Sequence, residues 1–304
     1  RTPSAVQKTS GHSFGSQLAE RPTRLADQVL VAFPLHSYTQ PGHKPSGVGN
    51  QDRMGVRRTD KAIVLAVSDG CSASWNSAVG ASLLTTWSLA AAEEILRQHK
   101  AIPSPEQFAR LLEKELLRKI RRDIEEYARD EGMRDTRLQA TFAATILVGV
   151  ITPAWTAVMG AGDGYYSFGR GQIEKIKTRY EDYPRYLMYR LMSTPPSEME
   201  GAGIEVFDSR KTETVSSLAI FSDGAKPLLS ANGGVHLTQV VDEKRFVRHI
   251  CTQKCRLDQS GRCLDDQRNA HFEANFKPLA DRMDDDFTCV VARSEEHTSE
   301  LQSH

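Results

Sequence analysis

Aspartate recurs in this sequence where an apolar run stops. Val64-Leu-Ala-Val-Ser-Asp69-Gly70 and Leu218-Ala-Ile-Phe-Ser-Asp223-Gly224 end alike, each delivering a carboxylate at the close of a strand-length run. The glycine that follows permits close backbone approach. A third run, Trp155 to Met159, leads through Gly160-Ala-Gly162 to Asp163-Gly164, and Asp284-Asp285-Asp286 immediately precedes the apolar stretch opened by Phe287-Thr288. Asn50-Gln51-Asp52 lies just ahead of another such run. Carboxylates in this number, without histidine and cysteine at zinc spacing, suit magnesium or manganese, which take hard oxygen ligands and retain waters. Two such ions roughly 3.5–4 Å apart can activate a water and stabilise a phosphoryl group during in-line displacement. The chemistry implied is hydrolysis of a phosphate ester. A single Asp-Gly after a strand is ordinarily a turn, so the case rests on all five together.

Such carboxylates need a frame that gathers distant segments. Residues 28–36 and 61–69 are apolar, partly β-branched runs, the second unbroken enough for a central strand. Between them a Gly/Pro-rich loop carries Asn50-Gln51-Asp52-Arg53. From Asn76 to about His99 an alanine- and leucine-rich stretch predicts a helix, weakened by Gly80, Thr85 and Thr86. A second helix has Ser104 as N-cap, Pro105 at its first position and Gln107 at its third, a capping box. Its apolar face is Phe108, Leu112, Leu116, Ile120 and Ile124, before Gly132. Residues 142–151 and 154–160, about Thr152-Pro153, predict a hairpin, and 165–168 with 172–176 a second. Residues 203–207, 216–223 and 287–292 predict further strands, 178–202 a loop with room for a short helix, and 228–282 a polar helical segment. Helices bracketed by hairpin-linked strands imply an α+β fold with antiparallel sheets. Gly160-Ala-Gly162-Asp-Gly164 is no dinucleotide loop, because a hairpin and not a helix follows it.

The bulk composition narrows the function by exclusion. Lysine plus arginine and aspartate plus glutamate number 39 each, so no global field draws the chain to nucleic acid or an anionic membrane. The five cysteines, Cys71, Cys251, Cys255, Cys263 and Cys289, are odd in number and scattered, which fits a reducing, cytoplasmic compartment. Cys251, Cys255 and Cys263, near His249 and His271, are too irregularly spaced for a zinc knuckle. No run approaches the roughly 18 apolar residues of a membrane span. Residues 1–26 read as a linker or mobile arm, 27–293 as a single domain, and 294–304 as extraneous, resembling a translated sequencing adapter.

Asn50-Gln51-Asp52, Ser68-Asp69-Gly70, Phe142-Ala-Ala-Thr145, Gly162-Asp163-Gly164, Ser222-Asp223-Gly224 and Asp285-Asp286-Phe287-Thr288 succeed one another in an order that resembles the PPM (type 2C) metal-dependent protein serine/threonine phosphatases, especially the bacterial-type branch. The resemblance implies a β-sandwich of two antiparallel sheets flanked by helix pairs, in α-β-β-α layers. It implies two Mg²⁺ or Mn²⁺ ions and a third, weaker one. Asp69 would bridge the two metals, with the Gly70 carbonyl on the second. Asp223 and Asp285 would complete the shell of the first metal, Asp52 would act at the second metal and Asp163 at the third. Asp286 would stand at an asparagine position, with the register open to a slip of one. His43 and Gly47 resemble part of a motif leading into Gln51-Asp52. The substrate would be a phosphorylated protein, and the activity would oppose a Ser/Thr kinase.

Some positions depart from the family pattern. Cys71 replaces the histidine proposed to protonate the leaving alcohol in animal relatives, which leaves metal-bound water as the expected acid. Gln51 stands where many members have glutamate. Ala73-Ser74-Trp75 replaces glycines, reshaping the substrate mouth. Arg53, Arg57 and Arg58 lie near the site in sequence, yet each reads as an ordinary surface charge. The same residues admit two other functions: a non-catalytic relative that binds partners, and a phosphatase of small metabolites.

Overall fold

A computed structural model describes residues 35–40, 49–127, 131–169, 173–176, 184–197, 202–225 and 285–293. In chain order its strands are β1 (Leu35–Gln40), β2 (Arg53–Arg58), β3 (Ile63–Ser68), β4 (Ile146–Ile151), β5 (Trp155–Ala161), β6 (Tyr165–Phe168), β7 (Glu174–Lys175), β8 (Glu205–Lys211), β9 (Ser217–Phe221) and β10 (Phe287–Arg293). Helices α1 (Ser77–Gln98), α2 (Pro105–Tyr127) and α3 (Glu131–Phe142) lie between β3 and β4. The strands form two five-stranded sheets, ordered β1-β10-β9-β6-β7 and β2-β3-β4-β5-β8, with antiparallel pairing throughout. This is the expected α+β class with two antiparallel sheets.

The unbroken apolar runs of β3 and β4 follow from burial on both faces. Ile63, Leu65 and Val67 point to the other sheet and pack with Leu147, Leu218, Ile220 and Val290. Val64 and Ala66, with Val148 and Val150, pack instead with helix residues Leu84, Phe108, Leu112 and Leu116. Each fully buried Leu, Ile or Phe contributes about 1.5–3 kcal/mol, so this double-sided layer is the main source of stability. On α2, Phe108, Leu112, Leu116, Ile120 and Ile124 are all at most 1% exposed, matching the predicted face. The Ser104 hydroxyl caps that helix, accepting the Gln107 N–H at 3.3 Å.

Some expectations needed correction. The sequence loop at Arg53 is the start of β2, whose Arg-rich, partly exposed pattern lacks alternation because it is a sheet edge. Residues 131–142 form α3, so Phe142 closes a helix instead of opening a strand, and β4 starts at Ile146. The first strand lies at Leu35–Gln40, with residues 28–34 outside the described set. Within 178–202 a 3-10 turn forms at Leu187–Arg190. The predicted helical segment 228–282, the three cysteines within it, both terminal segments, His43 and Gly47 also lie outside the described residues.

Candidate active site

The strand registers bring the acidic segments to one end of the sandwich. Arg53 pairs with Ser68, Ile146 with Ala161, and Phe221 with both Cys289 and Tyr165. The residues just outside these pairs are Asp52, Asp69, Asp163, Asp223 and the Asp285-Asp286 pair. Strand ends that meet in this way deliver side chains from rigid elements, which fixes them more firmly than a free loop would.

Each carboxylate has a local anchor. Asp69 is gripped through its backbone: its N–H donates to the Thr145 hydroxyl at 3.0 Å, and its carbonyl accepts the Thr145 N–H at 2.8 Å. Gly70 forms an isolated bridge with Ala144, and the Cys71 N–H donates to the Ala143 carbonyl. The Phe142-Ala-Ala-Thr145 motif is therefore the clamp on the Asp69 turn. Asp163 sits between Gly162 at φ +105° and Gly164 at φ +140°, conformations that side chains rarely adopt. Gly224 follows Asp223 because a Cβ there would fall 1.8 Å from the Asp286 carbonyl oxygen. That close approach seats the Asp223 turn against the start of β10. The Asp285 carboxylate accepts the Asp286 N–H at 2.8 Å, and Asp286, 1% exposed, accepts the Gln51 N–H at 2.7 Å.

The carboxylates face one another. Asp52 is 1% exposed, whereas Asp69, Asp163, Asp223 and Asp285 keep partial solvent access, so the cluster has a buried floor and an open rim. Burial pushes the Asp52 carboxyl up to about 6; the nearby Asp69, Ser222 and Thr288 side chains oppose that rise. Although Asp69 retains some exposed surface, its carboxyl is densely surrounded, and burial followed by the charges of Asp52 and Asp223 drives it well above the carboxylate range. Burial, then Asp223, raises Asp163 to about 6, with Asp285 adding to the repulsion. Thus all five predicted aspartates belong to one electrostatic cluster, with Asp223 at its centre.

Both carboxylate oxygens of Asp52 and one of Asp223 are buried without a well-formed hydrogen bond. Buried anionic oxygens are strongly unfavourable unless a proton or cation compensates them. An all-oxygen donor set of this kind fits a hard divalent cation. The side chains converge without forming a finished cage: among the described residues no three acidic, histidine or cysteine groups stand ready around an ion.

Several contacts around the cluster were not visible in the sequence. Gln51 is 2% exposed, and its amide donates to the Ser77 hydroxyl at 2.7 Å and, at 3.4 Å, to the carbonyls of Cys71 and Ser74. Its glutamine identity is explained by this donor role, since a carboxylate would face two carbonyl oxygens. Tyr186, from the segment without clear periodicity, is 8% exposed and lies in hydrogen-bonding range of Cys71. Arg57 pairs with Glu93 at 2.6 Å, away from the mouth, whereas Arg53 donates to the carbonyls of Asn50 and Asp52. Of the two described aspartates before Phe287, Asp285 interacts with Asp163 while Asp286 presses on Asp52, so each edge of the cluster has its own carboxylate.

The sequence profile of protein phosphatase 2C matches residues 39–270. The chain belongs to the protein phosphatase 2C family. Metal dependence is general to this family. No curated protein matches the chain in sequence. Among solved structures, a bacterial serine phosphatase is 14% identical with a TM-score of 0.51, the match covering 86% of this chain and 97% of that one. The serine/threonine phosphatase Stp1 from Staphylococcus aureus is 13% identical with a TM-score of 0.50, over 85% of this chain and 94% of that one. A serine-threonine phosphatase 2C from Toxoplasma gondii is 12% identical with a TM-score of 0.50, over 86% and 95% respectively. At such identities these likenesses establish the shared 2C fold. Among the described residues no helix is long and apolar enough to cross a membrane.

Proposed function

We propose that this 2C domain, spanning residues 27–293, removes phosphate from phosphoserine and phosphothreonine of protein substrates by metal-dependent hydrolysis. The observation that carries the reading is the cluster itself: carboxylates from five separate segments at one end of the sandwich, with both Asp52 oxygens buried and without a well-formed hydrogen bond. Asp52, Asp69, Asp223 and Asp285, with the Gly70 carbonyl, would hold two Mg²⁺ or Mn²⁺ ions, and Asp163 would help to hold a third. When bound, such ions supply a nucleophilic water at neutral pH and neutralise charge on the transferring phosphoryl group.

The protein's own residues supply position and charge. Thr145 fixes the Asp69 backbone from both sides, so that carboxylate has little freedom to swing. Gln51 holds the Cys71–Ser77 loop to the floor of the site through its amide, and holds Asp286 through its N–H. Asp163, Asp223 and Asp285 form the negative rim that a cation, and not a phosphate alone, would enter. The substrates would be products of a Ser/Thr kinase, and the compartment would be the cytoplasm. The experiment is hydrolysis of a phosphoserine peptide by the full chain with manganese and with a chelator. Turnover with manganese that disappears with chelator is expected; equal rates in both would overturn the reading.

A further inference from the structure

We infer that a recess beside the active site, walled by Trp75 and Met133, takes a large apolar side chain of the phosphoprotein substrate, placed within about six residues of the phosphorylated serine or threonine. The inference rests on the protein-phosphatase reading and adds a sequence preference to it. Among the described residues, the exposed large hydrophobic side chains are Trp75 at 83%, Val79 at 47% and Met133 at 48%. Trp75 and Met133 line a single cavity of about 460 Å³ with Arg137, Ala140 and Thr141, and Val79 lies one turn into α1 beyond Trp75. Exposed tryptophan is unfavourable in water, and apolar side chains left out together mark interaction sites.

The recess is continuous with the catalytic wall. Ala140 and Thr141 are in the last turn of α3, directly before the Phe142–Thr145 clamp on Asp69. The Cys71–Asn76 loop is tied to the same wall, through Cys71 N–H to the Ala143 carbonyl at 2.9 Å, Asn76 N–H to the Ala140 carbonyl at 3.1 Å, and the Ser74 hydroxyl to the Gln139 carbonyl at 2.9 Å. Trp75 is six residues from Asp69, so their Cα atoms lie within about 20 Å of each other. An extended peptide advances about 3.3 Å per residue, so a chain with its phosphoryl group at the carboxylates reaches the recess within about six residues. Arg137 is engaged by Asp123 at 3.5 Å, which favours an uncharged occupant over an acidic one. The exposed faces of Trp75 and Met133 offer roughly a few hundred Å² of apolar surface, below the roughly 800 Å² per partner of a standard subunit interface. A single substrate side chain suits the recess better than a second copy of the chain does.

The test uses the full chain, manganese, and a set of phosphoserine peptides in an alanine background carrying one leucine at each flanking position out to six residues. Both kcat/KM and the binding of labelled peptides by fluorescence anisotropy are read. At one flanking position leucine should raise kcat/KM and tighten binding by roughly 10-fold, as expected for burial of one large aliphatic side chain. Trp75→Ala and Met133→Ser should each collapse that leucine-to-alanine ratio toward one; because the ratio is internal to each variant, partial loss of folded protein does not affect it. A ratio near one at every position in the wild type overturns the inference, as does a ratio that survives both substitutions. A dimer dispersed by Trp75→Ala, without leucine preference, would assign the face to a second copy. Failure to hydrolyse para-nitrophenyl phosphate with manganese would sink the phosphatase reading instead, and the anisotropy ratio would still decide the recess.

Discussion

Replacing Asp52 by asparagine separates the stability of the site from its metal binding. Burial raises the Asp52 carboxyl from 3.8 to about 6. The folded state therefore binds the Asp52 proton more tightly than the unfolded state does. Below about pH 4 the residue is protonated in both states and contributes nothing. Between about pH 4 and 6 the unfolded chain ionises first, and the metal-free fold loses stability as pH rises. Above about pH 6 the full penalty remains, about 3 kcal/mol for a shift of about 2 units at roughly 1.4 kcal/mol each. Asp52→Asn removes that penalty, although an imperfectly paired amide returns part of it, so a gain of about 1–3 kcal/mol is expected at pH 7.5 in chelator. For a domain of this size that is an increase of about 3–10 °C in Tm. Thermal unfolding of wild type and variant at pH 4 and 7.5, with chelator and with manganese, is the assay. The variant should be the more stable protein without metal at pH 7.5 and close to wild type at pH 4, where only a small part of the penalty remains. Manganese at about 100 times its Kd should add about 2.7 kcal/mol per occupied site to the wild type, and less in total to the variant, which lacks a ligand of the second metal. A variant less stable than wild type in chelator at pH 7.5, or an offset identical at both pH values, would refute the assignment of a destabilising buried charge.

Other consequences follow from the anchors. Gln51→Glu should destabilise the fold by about 1–3 kcal/mol in urea unfolding, because the new carboxylate would face the Cys71 and Ser74 carbonyls; a neutral result would dissociate Gln51 from the loop. Gly224→Ala places a methyl group 1.8 Å from the Asp286 carbonyl oxygen, so a loss of about 1–3 kcal/mol together with weakened manganese binding is expected by calorimetry. Unchanged metal affinity there would mean that the β9 and β10 ends do not need to touch for the site to form. Thr145→Val keeps shape but removes the acceptor for the Asp69 N–H, and should lower stability by about 1–2 kcal/mol and phosphopeptide turnover by roughly 10-fold. If turnover is untouched while stability falls, Thr145 serves the fold alone.

What could be read in advance depended on how local the signal was. The α2 face, its Ser104 cap and the double-sided burial of β3 are written in consecutive residues, and the structure follows them. The convergence of the carboxylates could be anticipated because each borders an apolar run, closing it or leading into it, and Asp163 is flanked by the glycines that its turn requires, Gly162 and Gly164. β2 was not legible, since an edge strand of sequence Arg-Met-Gly-Val-Arg-Arg meets solvent and needs no alternation. Helix α3 was hidden by Gly132, which reads as a helix end and lies instead in a first turn. The contacts of Gln51 with Ser77, and of Tyr186 with Cys71, depend on chain crossings that no local pattern encodes.

The central claim is that the clustered aspartates hold the ions through which this 2C domain acts. Manganese-dependent hydrolysis of para-nitrophenyl phosphate, measured beside calorimetric manganese titration for wild type, Asp69→Asn and Asp223→Asn, tests it most directly. Both variants should lose roughly 100-fold or more in kcat and bind manganese measurably more weakly while remaining folded. Undiminished hydrolysis and unchanged manganese affinity in both variants would contradict the account.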